Sequence, residues 1–235
     1  MKAYIEASKR PSYNFVFAGI LLLLYELSVA LMPSSVINGV DGWFRFFLNL
    51  LPFGTYIVSG ILLMVGAIYI YIDSKEGIKV RFSLLGLMFI ESFLWGLIVF
   101  LILPKLMGKV FVNEVVGGLF RPNLIQQIGL SFGAGFYEEL FFRLLLVWGL
   151  QLGMRLFAND WSTWVKNLII VNICAFLFSL AHYIGNLGDV FEWYSFIYRY
   201  VFGVGMSVLL IFRRFGITSW THALYDVFVF TAKAL

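Results

Sequence analysis

Apolar runs about 20 residues long recur along nearly the whole chain, at 12–32, 52–72, 82–103, 123–152, 165–184, 193–212 and 217–234. A helix needs about 20 apolar residues to cross the hydrocarbon core, and a barrel strand only about 10. Backbone polar groups in lipid must be satisfied internally, so runs of this length fold as helices. The chain is 61% hydrophobic and 13% charged, against about 25% charged in soluble domains. The expected fold class is therefore all-α: a polytopic transmembrane helical bundle of about seven spans, in a single integral-membrane domain covering 1–235.

The joining segments fit this plan. Residues 1–11 form a polar lead with Lys2, Lys9 and Arg10, and no small-residue cleavage site follows, so the first span is read as uncleaved. Residues 33–41 read as a loop. The aromatic stretch 43–51, with Arg45, reads as interfacial. Ser59, Gly60 and Gly66 offer close helix approach in the second span. Residues 104–122 read as a long connection with an amphipathic surface piece, and 73–81, 155–164 and 185–192 as shorter ones. Cys174 sits in an apolar run as a small buried hydrophobe, with no partner for a disulfide.

The net charge of +4 is no nucleic-acid signal, because the basic residues mostly flank the spans. With the N-terminus cytoplasmic, that side receives Lys2, Lys9, Arg10, Lys75, Lys79, Arg81, Arg155, Lys166, Arg213 and Arg214. The other side receives Arg45, Lys105, Lys109, Arg121 and Lys233. The expected orientation is N-terminus in, C-terminus out.

The fourth span carries Glu138, Glu139 and Arg143 inside an apolar run. A charge at bilayer depth costs roughly 2.5–3.5 kcal/mol on insertion scales, so such groups need partners or a task. Glu139 and Arg143 are spaced i, i+4, with the acid N-terminal to the base, the favoured order for an ion pair. Glu138 points about 100° away, with no local cation. A desolvated, unpaired carboxylate suits a general base acting on water; a carboxylate bonded to a neighbouring helix is the structural alternative. The chain has two histidines, His182 and His222, both in spans. His222 and Asp226 share a face at i, i+4, and Phe178 shares a face with His182. Two imidazoles with carboxylates can bind a divalent metal such as zinc, or activate water without one. Each histidine taken alone is as well explained by an ordinary buried hydrogen bond. Glu26 and Glu91 remain, to pair with Arg199 or to line a cavity.

One feature of the plan resists this gathering. His182 lies about 17 residues, roughly 25 Å, from the cytoplasmic end of its span, and His222 about 5 residues, roughly 8 Å, from the same side. For the two to meet, the Arg213-Arg214 turn must be recessed, the helices staggered, or the boundaries moved.

The sets Glu138-Glu139-Leu140-Phe141-Phe142-Arg143, Phe178-Ser179-Leu180-Ala181-His182 and His222-Ala223-Leu224-Tyr225-Asp226 follow one another in order, on the fourth, fifth and seventh spans. This order resembles the CPBP intramembrane protease family, which includes the type II CAAX prenyl endopeptidases and the bacterial Abi proteins. The resemblance covers about 126–230; residues 1–120 carry no recognisable family motif. It implies endopeptidase hydrolysis of a membrane-associated, in some members lipidated, peptide or protein. Glu138 would activate water, and His182 and His222 would bind metal or position the water. Asp226 would join them, and Glu139 with Arg143 would hold the site together. A zinc ion, if used, would be held by Glu138, His182, His222 and Asp226. An Asp at the last motif position suits a metal-ligand or histidine-orienting role, since an ionised Asp cannot donate to an oxyanion. The short polar lead and the compact seven-span plan point to a prokaryotic plasma membrane. Two other classes compete: a non-catalytic immunity or scaffold protein of the same fold, and a proton- or metal-coupled carrier. Absence of inverted repeats counts against the carrier.

Overall fold

A computed structural model describes residues 2–32, 37–48, 54–108, 123–185 and 188–234, and all regular structure among them is helical. In chain order the helices are α1 (Lys2–Ser8), α2 (Pro11–Ala30), α3 (Gly39–Leu48), α4 (Gly54–Lys75), α5 (Phe82–Leu106), α6 (Leu124–Gly133), α7 (Leu146–Phe157), α8 (Thr163–Ala181) and α9 (Trp193–Ala234). Two π-helical stretches, Ala134–Glu138 and Leu140–Leu145, join α6 to α7 into one long rod. Five segments are long and apolar enough to cross a membrane: Pro11–Ala30, Phe82–Leu106, Leu124–Phe157, Thr163–Ala181 and Trp193–Lys233.

The last of these is a hairpin. Arg214 has φ 70° and ψ 175°, which breaks the helix. The Phe202 ring lies 4.8 Å from His222 and 4.7 Å from Tyr225, and the Tyr198 and Tyr225 hydroxyls are 2.9 Å apart. In a straight helix residues 202 and 222 would stand about 30 Å apart. Residues 193–213 and 215–234 are therefore two antiparallel arms, matching the expected sixth and seventh spans. α4, with 22 residues, takes the place of the second.

Local chemistry starts the helices. Pro11 opens α2, where its missing N–H costs nothing. Asn123 and Gln126 form a reciprocal capping box at α6, and Ser162 caps α8 through Val165 N. α5 runs past Pro104 and stops at Leu106, three residues beyond the expected span end. Residues 109–122, and with them most of the expected surface piece, lie outside the described residues, as do 49–51 of the expected interfacial stretch. α3 is amphipathic and leaves Phe46 and Phe47 exposed, consistent with an interfacial position.

The arm 215–234 is the axis of the bundle. Trp220 stacks on Phe17 of α2 and donates to its carbonyl at 2.8 Å. Gly216 N donates to Asn14 Oδ1 at 2.9 Å, and Ser92 of α5 reaches the carbonyl of Ile217 at 3.4 Å. The periphery is apolar and uncovered, with Leu23, Leu27, Ile90, Leu101, Trp148 and Leu168 exposed. Such a surface suits lipid, and the chain is an integral membrane protein.

The hairpin turn is recessed. Residues 221–225 lie beside Gly96, whose added Cβ would stand 3.2 Å from the Thr221 carbonyl. Gly96 is 14 residues into α5, about 21 Å, within one helical turn of the depth expected for His182. The recess is held by Arg213, which donates to both oxygens of Glu91 at 2.5 and 2.6 Å and to Ser8 Oγ at 2.9 Å. α1, within the polar lead, docks beneath, with Tyr4 donating to Glu91 at 2.6 Å. Glu91 thus pairs with Arg213 rather than Arg199, which pairs with Asp189 at 2.5 Å. Glu26 pairs with Arg45 at 3.5 Å and accepts from Tyr137 at 3.1 Å.

Candidate active site

The rod from α6 to α7 reaches the bundle centre through glycine. A Cβ on Gly135 would stand 2.5 Å from the Ser219 carbonyl and 2.6 Å from Ala223 Cβ. At Gly133 it would stand 2.4 Å from the Tyr25 ring. Backbone contact this close seats the rod between α2 and the arm 215–234. The i→i+5 pattern begins there, and π-helical turns of this kind concentrate at functional sites. Glu138 and Glu139 emerge at its centre.

Glu139 and Arg143 are fully buried, with Arg143 Nη1 3.2 Å from Glu139 Oε1, as their spacing predicts. The contact is an ion pair rather than an aligned hydrogen bond. The guanidinium lies 4.0 Å above the Phe178 ring, a cation–π contact that helps a charge held away from water. The same Glu139 oxygen faces His222 Nδ1 at 2.7 Å. Across the site, His182 caps α8 and its Nδ1 donates to the Phe178 carbonyl at 2.9 Å. A carbonyl and a carboxylate can only accept, so both imidazoles carry a proton on Nδ1 and turn Nε2 inward, an acceptor when the ring is neutral and a donor when it is charged.

Both inward nitrogens face Glu138. Its Oε2 is 3.9 Å from His182 Nε2 and 4.0 Å from His222 Nε2. Asp226 Oδ2 lies 3.6 Å from His222 Nε2. Phe178 forms one wall, with its ring 4.9 Å from that of His182 and 6.0 Å from that of His222. The motif residues Glu138, Glu139, Arg143, Phe178, His182, His222 and Asp226 are therefore gathered at one place. A further one comes from the loop before α3: Asn38 Nδ2 donates to Glu138 Oε1 at 2.9 Å. No sequence signal marked it, because its partner is 100 residues away and it belongs to none of the motifs.

The donor types, with their Nδ1 atoms tied by outer partners, are those a zinc site uses. Their spacing is not. Zinc bonds of 2.0–2.1 Å place tetrahedral donors about 3.3 Å apart. The separations here are 3.6, 3.9 and 4.0 Å. Among the described residues no group of three or more His, Cys, Asp and Glu closes to a metal-holding arrangement. As arranged, the donor atoms stand wider than a tetrahedral ion holds them, and separations near 4 Å leave room for a shared water.

Fold and site together define a class: a helical membrane bundle with a carboxylate–imidazole centre buried between its spans. Residues 119–228, a little under half of the chain, match the family described as type II CAAX prenyl endopeptidase Rce1-like. The matched segment holds all three motifs and is consistent with the CPBP resemblance. The membrane-spanning helices and this likeness together point to an integral membrane protein. Neither the curated proteins nor the solved structures contain a match.

Proposed function

We propose that the protein is an intramembrane endopeptidase in which Glu138 activates a water for attack on a peptide carbonyl. The observation that carries this reading is the convergence of Glu138 Oε2 with both inward imidazole nitrogens at 3.9 and 4.0 Å. A water there donates to the carboxylate and to His182. Glu138 takes its proton as the oxygen attacks the carbonyl carbon, and the carbonyl electrons move to oxygen. His222 lies between Glu139 and Asp226, on its two nitrogens. In its charged form it offers Nε2–H to the new oxyanion. Glu138 then passes its proton to the leaving nitrogen as the C–N bond breaks. Glu139, paired with Arg143, holds His222 in place.

The substrate class we propose is a membrane-associated peptide or protein, with a prenylated CAAX end as the first to test, following the name of the matched family. The membrane is proposed to be a prokaryotic plasma membrane, with the N-terminus cytoplasmic. The purified protein in lipid vesicles should cleave a farnesylated CAAX peptide and leave its unprenylated counterpart intact. Equal cleavage of both would remove prenylation from the reading; failure to cleave either of them or any other membrane peptide would remove the protease.

A further inference from the structure

We infer that Asn38 is a positioning residue for Glu138, holding one carboxylate oxygen so that the other faces the imidazoles. This rests on the reading of Glu138 as the base, but its geometry stands on other atoms. Asn38 Oδ1 accepts from Val40 N at 2.9 Å and from Asp41 N at 3.3 Å, at the start of α3. With the carbonyl side so committed, the amide can present only its NH2 to Glu138, and it does so at 2.9 Å. The backbone is pinned as well: Asn38 N donates to the Tyr25 hydroxyl at 3.0 Å, which donates to Asp41 Oδ2 at 2.6 Å. Arg45 closes the chain on Asp41 at 2.8 and 2.9 Å. Asn38 is 8% exposed, and Gly133 provides the room, since a Cβ there would stand 3.0 Å from Asn38 Cβ.

The consequence is directional. A carboxylate with neither oxygen held can rotate and present either one to the water. With Oε1 held by Asn38, Oε2 is the oxygen left facing the two imidazoles. Preorganisation of this kind acts on the rate of the chemical step rather than on substrate affinity.

Serine and aspartate both cap helices well, so Asn38→Ser and Asn38→Asp keep the α3 cap while removing the donor to Glu138. On a membrane peptide that the wild-type protein cleaves, Asn38→Ser should lower kcat about 10- to 100-fold with KM little changed. Asn38→Asp should fall further, because it sets a second carboxylate against the first. A residue that only caps α3 would leave both variants at the wild-type kcat, and that result overturns the inference. A measurement without variants stands beside it. In lipid-reconstituted wild-type protein, solid-state NMR should detect dipolar coupling between Asn38 Nδ2 and Glu138 Cδ. Absence of that coupling overturns the inference while leaving the protease reading intact. Coupling without cleavage of any membrane peptide overturns the protease reading and leaves Asn38 as the group that orients Glu138.

Discussion

His222 Nδ1 and Glu139 Oε1 lie 2.7 Å apart, and the same carboxylate oxygen is 3.2 Å from Arg143. One buried acid thus serves a cation and an imidazole at once. Removing one partner of a buried pair leaves an uncompensated charge and costs about 3–5 kcal/mol, whereas replacing both with apolar groups is often tolerated. Glu139→Gln and Arg143→Ala should each lower thermal stability strongly in detergent. The double variant Glu139→Leu/Arg143→Met should recover most of that stability and still fail to cleave. Recovery of cleavage in the double variant would reduce the pair to a structural role.

Gly135 faces backbone, with the Ser219 carbonyl 2.5 Å from where a Cβ would sit. Overpacking of this kind costs about 1–3 kcal/mol. Gly135→Ala should therefore destabilise the protein and lower cleavage together. Gly149 has nothing within 4 Å, so Gly149→Ala should hold or raise the melting temperature. Equal effects at both positions would contradict the close seating of the rod.

Arg214 occupies backbone space that is nearly exclusive to glycine, at φ 70° and ψ 175°. Holding a side chain there costs about 1–3 kcal/mol. Arg214→Gly should release part of that strain and raise the melting temperature, while Arg213→Ala should lower it by freeing the turn from Glu91. A fall in stability for Arg214→Gly would contradict the turn geometry.

These residues also mark what was legible in the chain. The i, i+4 spacings of Glu139 with Arg143 and of His222 with Asp226 were readable because helical periodicity places them, whatever surrounds the helix. The seven hydrophobic runs were readable for the same reason, since bilayer thickness sets their length. The depth of His222 was not: it depends on the Arg213–Glu91 pair, a contact across 122 residues with no local signature. α1 escaped notice because seven residues carry too little helical signal of their own and are held by Glu91 and Arg213. Asn38 looked like any loop asparagine before a glycine.

Zinc is decided by measurement on the intact protein. The donor separations of 3.6–4.0 Å predict that protein purified without added metal or chelator carries substoichiometric zinc and cleaves undiminished by chelation. Stoichiometric zinc that tracks activity, and falls in the Asp226→Ala variant, would instead put Glu138, His182, His222 and Asp226 around the ion.

The most direct test is the Glu138→Gln variant in lipid vesicles, assayed on a membrane peptide that the wild-type protein cleaves. The substitution keeps the shape of the side chain and removes its capacity to take a proton. General-base catalysis contributes about 10²–10⁴-fold, so cleavage should fall by at least about 100-fold with the melting temperature nearly unchanged. Cleavage at the wild-type rate would contradict the account, and would show that the gathering of Glu138, His182 and His222 is not the hydrolytic centre.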